Sequence, residues 1–95
     1  MKNYEAVFIL KAGTEDAVKG IIAAIGKILE KNSVKVAKEE NWGKRENAYI
    51  IKKERDGIYY KLNFSADPKA IKHMDEAYKL NTDILRVTIV KKDVV

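Results

Sequence analysis

With 95 residues the chain has room for one domain. It contains no cysteine, which excludes a disulfide frame or a thiolate metal site; its apolar runs, such as Ala6-Val7-Phe8-Ile9-Leu10, are too short to span a bilayer, and no signal peptide is expected behind Lys2 and Glu5. The net charge of +5 is concentrated in residues 34–66, where eight Lys and Arg meet five acids; this suits an acidic partner such as nucleic acid, and equally a well-solvated surface.

Residues 2–10 alternate, with Tyr4, Ala6, Phe8 and Leu10 on one face and Glu5, Val7 and Ile9 on the other. A strand apolar on both faces past Glu5 belongs in the middle of a sheet. Ala12-Gly13 breaks it, and Thr14 caps a helix whose first turn holds Glu15 and Asp16, favourable at the positive end of the helix dipole. Val18, Ile21, Ile22, Ile25, Ile28 and Leu29 form its apolar stripe. Strand character returns at Val34 and continues, interrupted, to Arg55, with Asp56-Gly57 predicted as the hairpin turn. Ile58, Tyr60, Leu62 and Phe64 then alternate with Tyr59, Lys61 and Asn63 in the returning strand. Asp67-Pro68 opens a second helix with Ala70, Ile71, Met74, Ala77 and Tyr78 on one side, and Asn81 is expected to stop it in a left-handed conformation. Leu85, Val87 and Ile89 alternate with Arg86, Thr88 and Val90 in a last strand, after which Val94-Val95 should fray.

The order β-α-β-β-α-β predicts an α+β, ferredoxin-like domain over residues 1–95: a four-stranded antiparallel sheet in the order 4-1-3-2, both helices on one face. Lys2 and Lys91 should then be neighbours, with Arg86 further along the same ribbon and Lys44 and Arg45 at the opposite edge. Gly43, inside so long a strand, predicts a bulge, a bend or a close approach.

Catalytic chemistry finds little to stand on. His73 is the only histidine and has no matched metal ligand. Glu39-Glu40 and Asp75-Glu76 are adjacent in sequence and so point apart. Gly13 is a single glycine, not a phosphate loop. The topology invites comparison with the RNA-recognition motif, whose central strands stack aromatics on bases. Here Asp56 and Ile58 occupy the wrong slots, Phe64 lies one residue late, and Tyr60 and Phe64 alternate with Leu62 as core. Only Tyr59 is left as a stacking candidate, so a single-strand RNA binder of that kind stands as the alternative reading.

A second resemblance is fuller. Gly43-Lys44-Arg45-Glu46-Asn47-Ala48-Tyr49-Ile50-Ile51 resembles the Gly-x-Arg/Lys-x-Leu-Ala-Tyr-x-Ile signature of the bacterial small-subunit ribosomal protein S6 family, matching at Gly43, Arg45, Ala48, Tyr49 and Ile51. Lys2-Asn3-Tyr4-Glu5 is similar to the family's opening, and Asp83-Ile84-Leu85-Arg86-Val87 to its final strand. Asn47 stands where the family usually has Leu, and Ile50 where Pro is common. The resemblance implies a cytoplasmic, ribosome-bound structural protein, not an enzyme. It would bind the central domain of small-subunit ribosomal RNA together with ribosomal protein S18, with no cofactor, metal, membrane or small-molecule substrate. By position it makes Lys2, Arg45, Arg86 and Lys91 candidate RNA contacts; Lys44 joins them on charge and place. Val7, Ile9, Tyr59 and Val90 make the outward sheet face more apolar than solvation needs, and are candidates for the partner-protein surface.

Overall fold

A computed structural model describes residues 2–92; Val94 and Val95, expected to fray, lie outside them. The elements are β1 (Lys2–Lys11), α1 (Glu15–Lys31), β2 (Lys35–Ile51), β3 (Glu54–Ala66), α2 (Pro68–Leu80) and β4 (Ile84–Lys91). They form one antiparallel sheet in the order β2-β3-β1-β4. β1 lies between β3 and β4, as its two apolar faces predict.

Both helices start where the sequence caps them. Thr14 accepts a hydrogen bond from Ala17 N at 3.2 Å, and Asp67 accepts one from Lys69 N at 2.9 Å, with Pro68 at the first turn. α1 buries Ile21, Ile25 and Leu29; α2 buries Met74 and Tyr78. These pack on the sheet face formed by Tyr4, Ala6, Phe8, Leu10, Tyr60, Leu62 and Phe64. Phe8 is at the centre, edge-on to Tyr78 with ring centroids 4.9 Å apart. Its burial contributes roughly 1.5–3 kcal/mol. Tyr78 also ties the helices together, its hydroxyl donating to the Ile25 carbonyl at 3.3 Å.

Two local expectations fail. The hairpin turn is not Asp56-Gly57 but Lys52-Lys53, closed by the Ile51–Glu54 pair. Both lysines have positive φ, 48° and 68°, as a two-residue turn between right-twisted strands requires. Gly57 sits within β3, paired with Arg45 on one side and Lys11 on the other. A Cβ there would stand 2.6 Å from Ile9 Cγ2 and 3.0 Å from the Leu10 oxygen, so glycine serves a close approach rather than a turn. Asn81 is extended, not left-handed (φ −84°, ψ 112°). It ends α2 by accepting from Asp83 N at 2.9 Å, a side-chain-closed turn that launches β4.

Candidate nucleic-acid interface

The helices cover one face of the sheet and leave the other open. Strand register lays out that open face in rows. Gly43, Tyr59, Ile9 and Arg86 form one row from β2 to β4; Glu40, Lys61, Val7 and Thr88 form the next; Lys38, Asn63, Glu5 and Val90 a third. Arg45 pairs with Gly57, one step past the first row on the same face.

β2 departs from regular pairing at Trp42. Asn41 opposes Tyr60 and Gly43 opposes Tyr59, so Trp42 is the extra residue of a bulge. Gly43 adopts φ 77°, the left-handed region that glycine enters at no steric cost. Asn41 braces the bulge by accepting from Gly43 N at 2.8 Å. The displaced indole keeps 43% of its surface exposed and donates to Glu40 Oε2 at 3.2 Å. The Arg45 guanidinium and the Lys61 ammonium each lie 5.6 Å from its ring centroid.

The charges around it form a chain. Lys38 bridges Glu40 at 2.8 Å, and Lys61 bridges Glu5 at 2.7 Å, with Lys92 at 3.9 Å from the same carboxylate. The hydrogen bond from Lys38 leads in holding the Glu40 carboxyl below its usual pKa, the indole N–H adding to it; the Glu5 hydrogen bond raises that of Lys61. Both therefore stay ionised near neutrality, and the face is a mosaic with a cationic margin.

The five expected RNA contacts divide between the faces. Arg45 and Arg86 lie on the open face at opposite edges, three strand steps or roughly 14 Å apart. Lys44, next to Arg45, alternates to the helix side and pairs with Asp56 at 3.5 Å. Lys91 pairs with Tyr4, and Lys2 lies two residues before Tyr4, so these two share one end of the β1–β4 ribbon, on the helix-side parity. Arg86 is towards the ribbon's other end. Residue alternation alone did not bring out Lys61 and Trp42, which the bulge gathers beside Arg45. The signal was present in a lone tryptophan immediately before a glycine inside a strand.

Of the apolar candidates, Val90 is 52% exposed and Val7 half-buried, while Ile9 is only 8% exposed. Ile9 lies under the close approach at Gly57 and is a packing residue first. Tyr59 is half-buried, and its hydroxyl donates to Asn47 Oδ1 at 3.1 Å. Asn47 in turn donates to the Glu54 carbonyl at 3.3 Å and is 7% exposed, so a buried polar bracket stands at the position where the resemblance expects Leu. Tyr60 and Phe64 are core, as their alternation predicts. Among the described residues no cluster of His, Cys, Asp or Glu could hold a metal, and no helix is long and apolar enough to cross a membrane.

The family model for Ribosomal protein S6 matches residues 3–91. The chain belongs to that family. The small ribosomal subunit protein bS6 of Desulforamulus reducens is 36% identical over 93 residues, which cover 97% of this chain and 98% of the relative. The crystal structure of 30S ribosomal protein S6 from Thermotoga maritima superposes with a TM-score of 0.88 at 27% identity, over 96% of this chain and 87% of that one. The C-terminal domain of the MgtC protein from Mycobacterium tuberculosis shares the fold alone, with a TM-score of 0.65 at 12% identity over 97% of this chain and 88% of that one. Membership of the S6 family makes this a protein of the small ribosomal subunit, placed on the cytoplasmic ribosome.

Proposed function

We propose that the protein acts as a single, non-catalytic scaffold domain that binds the central domain of small-subunit ribosomal RNA jointly with ribosomal protein S18. The observation that supports this most is the uncovered sheet face with Arg45 and Arg86 at its two edges. Two guanidiniums held apart on rigid strands fix the orientation of a phosphate backbone better than a diffuse lysine surface would. Lys2 and Lys91 extend the positive margin around one end of the β1–β4 ribbon, and Lys44 does so at the β2 edge. Val7, Tyr59 and Val90 offer apolar area between the cations for the partner protein, with Ile9 supporting them from beneath. Shape and backbone contacts carry most RNA discrimination in such a surface.

The test is binding of a central-domain ribosomal RNA fragment with and without purified S18. The expected result is weak binding alone and strongly enhanced binding with the partner. Equal affinity in both arms would remove the partner from the proposal, and equally tight binding to any short unpaired oligonucleotide would favour the RNA-recognition-motif alternative.

A further inference from the structure

Trp42 is the chain's only tryptophan, and three local features combine to expose it. Gly43 takes positive φ, Asn41 closes the turn onto Gly43 N, and the bulge leaves Trp42 without a partner on β3. Glu40 satisfies the indole N–H, the ring's one polar group, while 43% of the residue remains open. A bulge that merely relieved strand twist could carry any side chain at this position. This one carries a large π surface, and Arg45 and Lys61 each lie over that ring, 5.6 Å from its centroid.

We propose that Trp42 is a stacking platform for an unpaired base of the ribosomal RNA, which takes the place of Arg45 and Lys61 over the ring while those two cations meet the phosphates on either side of that base. The inference rests on the RNA-binding reading and deepens it from a charged face to a defined subsite. Stacking on an indole is open to every base, because every base has a π face, and it needs an unpaired nucleotide. The two cations favour nucleic acid over an apolar protein segment, which would have to bury both beside it. The neighbouring aromatic, Tyr59, is half-buried and held by Asn47, so Trp42 takes the role that comparison with the RNA-recognition motif assigned to Tyr59.

The lone indole is its own reporter. Wild-type protein is titrated with a central-domain ribosomal RNA fragment containing unpaired nucleotides and, separately, with a fully paired duplex of equal length. Emission is followed alongside filter retention, which reads binding independently. The expected result is quenching by the fragment and unchanged emission with the duplex. Trp42→Ala should weaken fragment binding by roughly five- to a hundredfold, and Trp42→Phe should keep most of the affinity. Retention of the fragment with unchanged emission and full affinity in Trp42→Ala would overturn the platform while leaving RNA binding intact. A loss in Trp42→Ala seen only when S18 is present would also overturn it, placing protein over the ring. A fragment not retained even with S18 present would defeat the RNA reading and this inference with it.

Discussion

Gly57→Ala gives a sharp test of how the sheet is assembled. The glycine sits where β1, β3 and the start of β4 crowd together, and an added methyl would stand 2.6 Å from Ile9 Cγ2, 3.0 Å from the Leu10 oxygen and 3.6 Å from Leu85 Cδ1. Carbon atoms rest at about 3.5–4.0 Å, so the Ile9 contact overlaps by about 1 Å. Leu10 is committed to β1 pairing, and Ile9 is buried, so neither yields freely. Overpacking of this kind costs about 1–3 kcal/mol. Loss of glycine's freedom in the unfolded chain returns about 0.4–1 kcal/mol. The net expectation is a loss of about 1.3 kcal/mol at mid-range, and at most about 2.6 kcal/mol, in urea unfolding, the mid-range value corresponding to roughly 5–10 °C in Tm for a domain of this size. Ile9→Ala removes Cγ2, so adding Gly57→Ala to that background should cost much less, and the coupling should exceed about 0.5 kcal/mol. Gly57→Asn should be worse than Gly57→Ala, whereas at a turn glycine Asn is well tolerated. A neutral Gly57→Ala that also shows no coupling to Ile9→Ala, or an Asn variant better than the Ala one, would refute the close approach and restore Asp56-Gly57 as a turn.

Two further outcomes follow from individual residues. Lys53 occupies φ 68° at the hairpin turn, so Lys53→Gly should raise stability by roughly 1 kcal/mol in thermal or urea melts, and a lower Tm would refute a strained lysine there. Tyr78 has its pKa raised from the usual 10.0 by burial, so below that value both folded and unfolded chains keep the proton and stability is flat. Above it the unfolded chain ionises first and stability falls as pH climbs. Tyr78→Phe should lose roughly 1 kcal/mol at neutral pH with the Ile25 hydrogen bond, yet decline less steeply in alkali. Some alkaline decline should remain, because burial and the hydrogen bond to Glu39 raise the Tyr60 pKa as well. An unchanged alkaline slope in Tyr78→Phe would contradict the burial argument.

Periodicity was enough to place most of the fold. Alternation in β1 and β3 and the 3.6-residue stripes of α1 and α2 are consequences of burying one face, and the caps at Thr14 and Asp67 are local chemistry. The hairpin misled because its turn residues, Lys52 and Lys53, carry none of the usual turn chemistry, while Gly57 carries it for a different reason. What decides between them is contact with Ile9 and Leu85, which lie far away in sequence. The candidate interface was legible in part for the same cause. Gly43 announced an irregularity and Arg45 stood beside it. Which face Lys44 and Arg45 each take past the bulge, and the arrival of Lys61 beside Trp42, depend on register with β3, which a single strand does not encode.

The central claim is that the open sheet face grips ribosomal RNA through arginines at its two edges. Its most direct measurement is the salt dependence of binding to the central-domain fragment, in the presence of S18, for wild type, Arg45→Ala, Arg86→Ala and the double variant. Each substitution should weaken binding and reduce the slope of log K against log salt by about 0.7–0.9, with the two reductions adding in the double variant. Unchanged affinity and slope in all three variants would contradict it and move the RNA off this face.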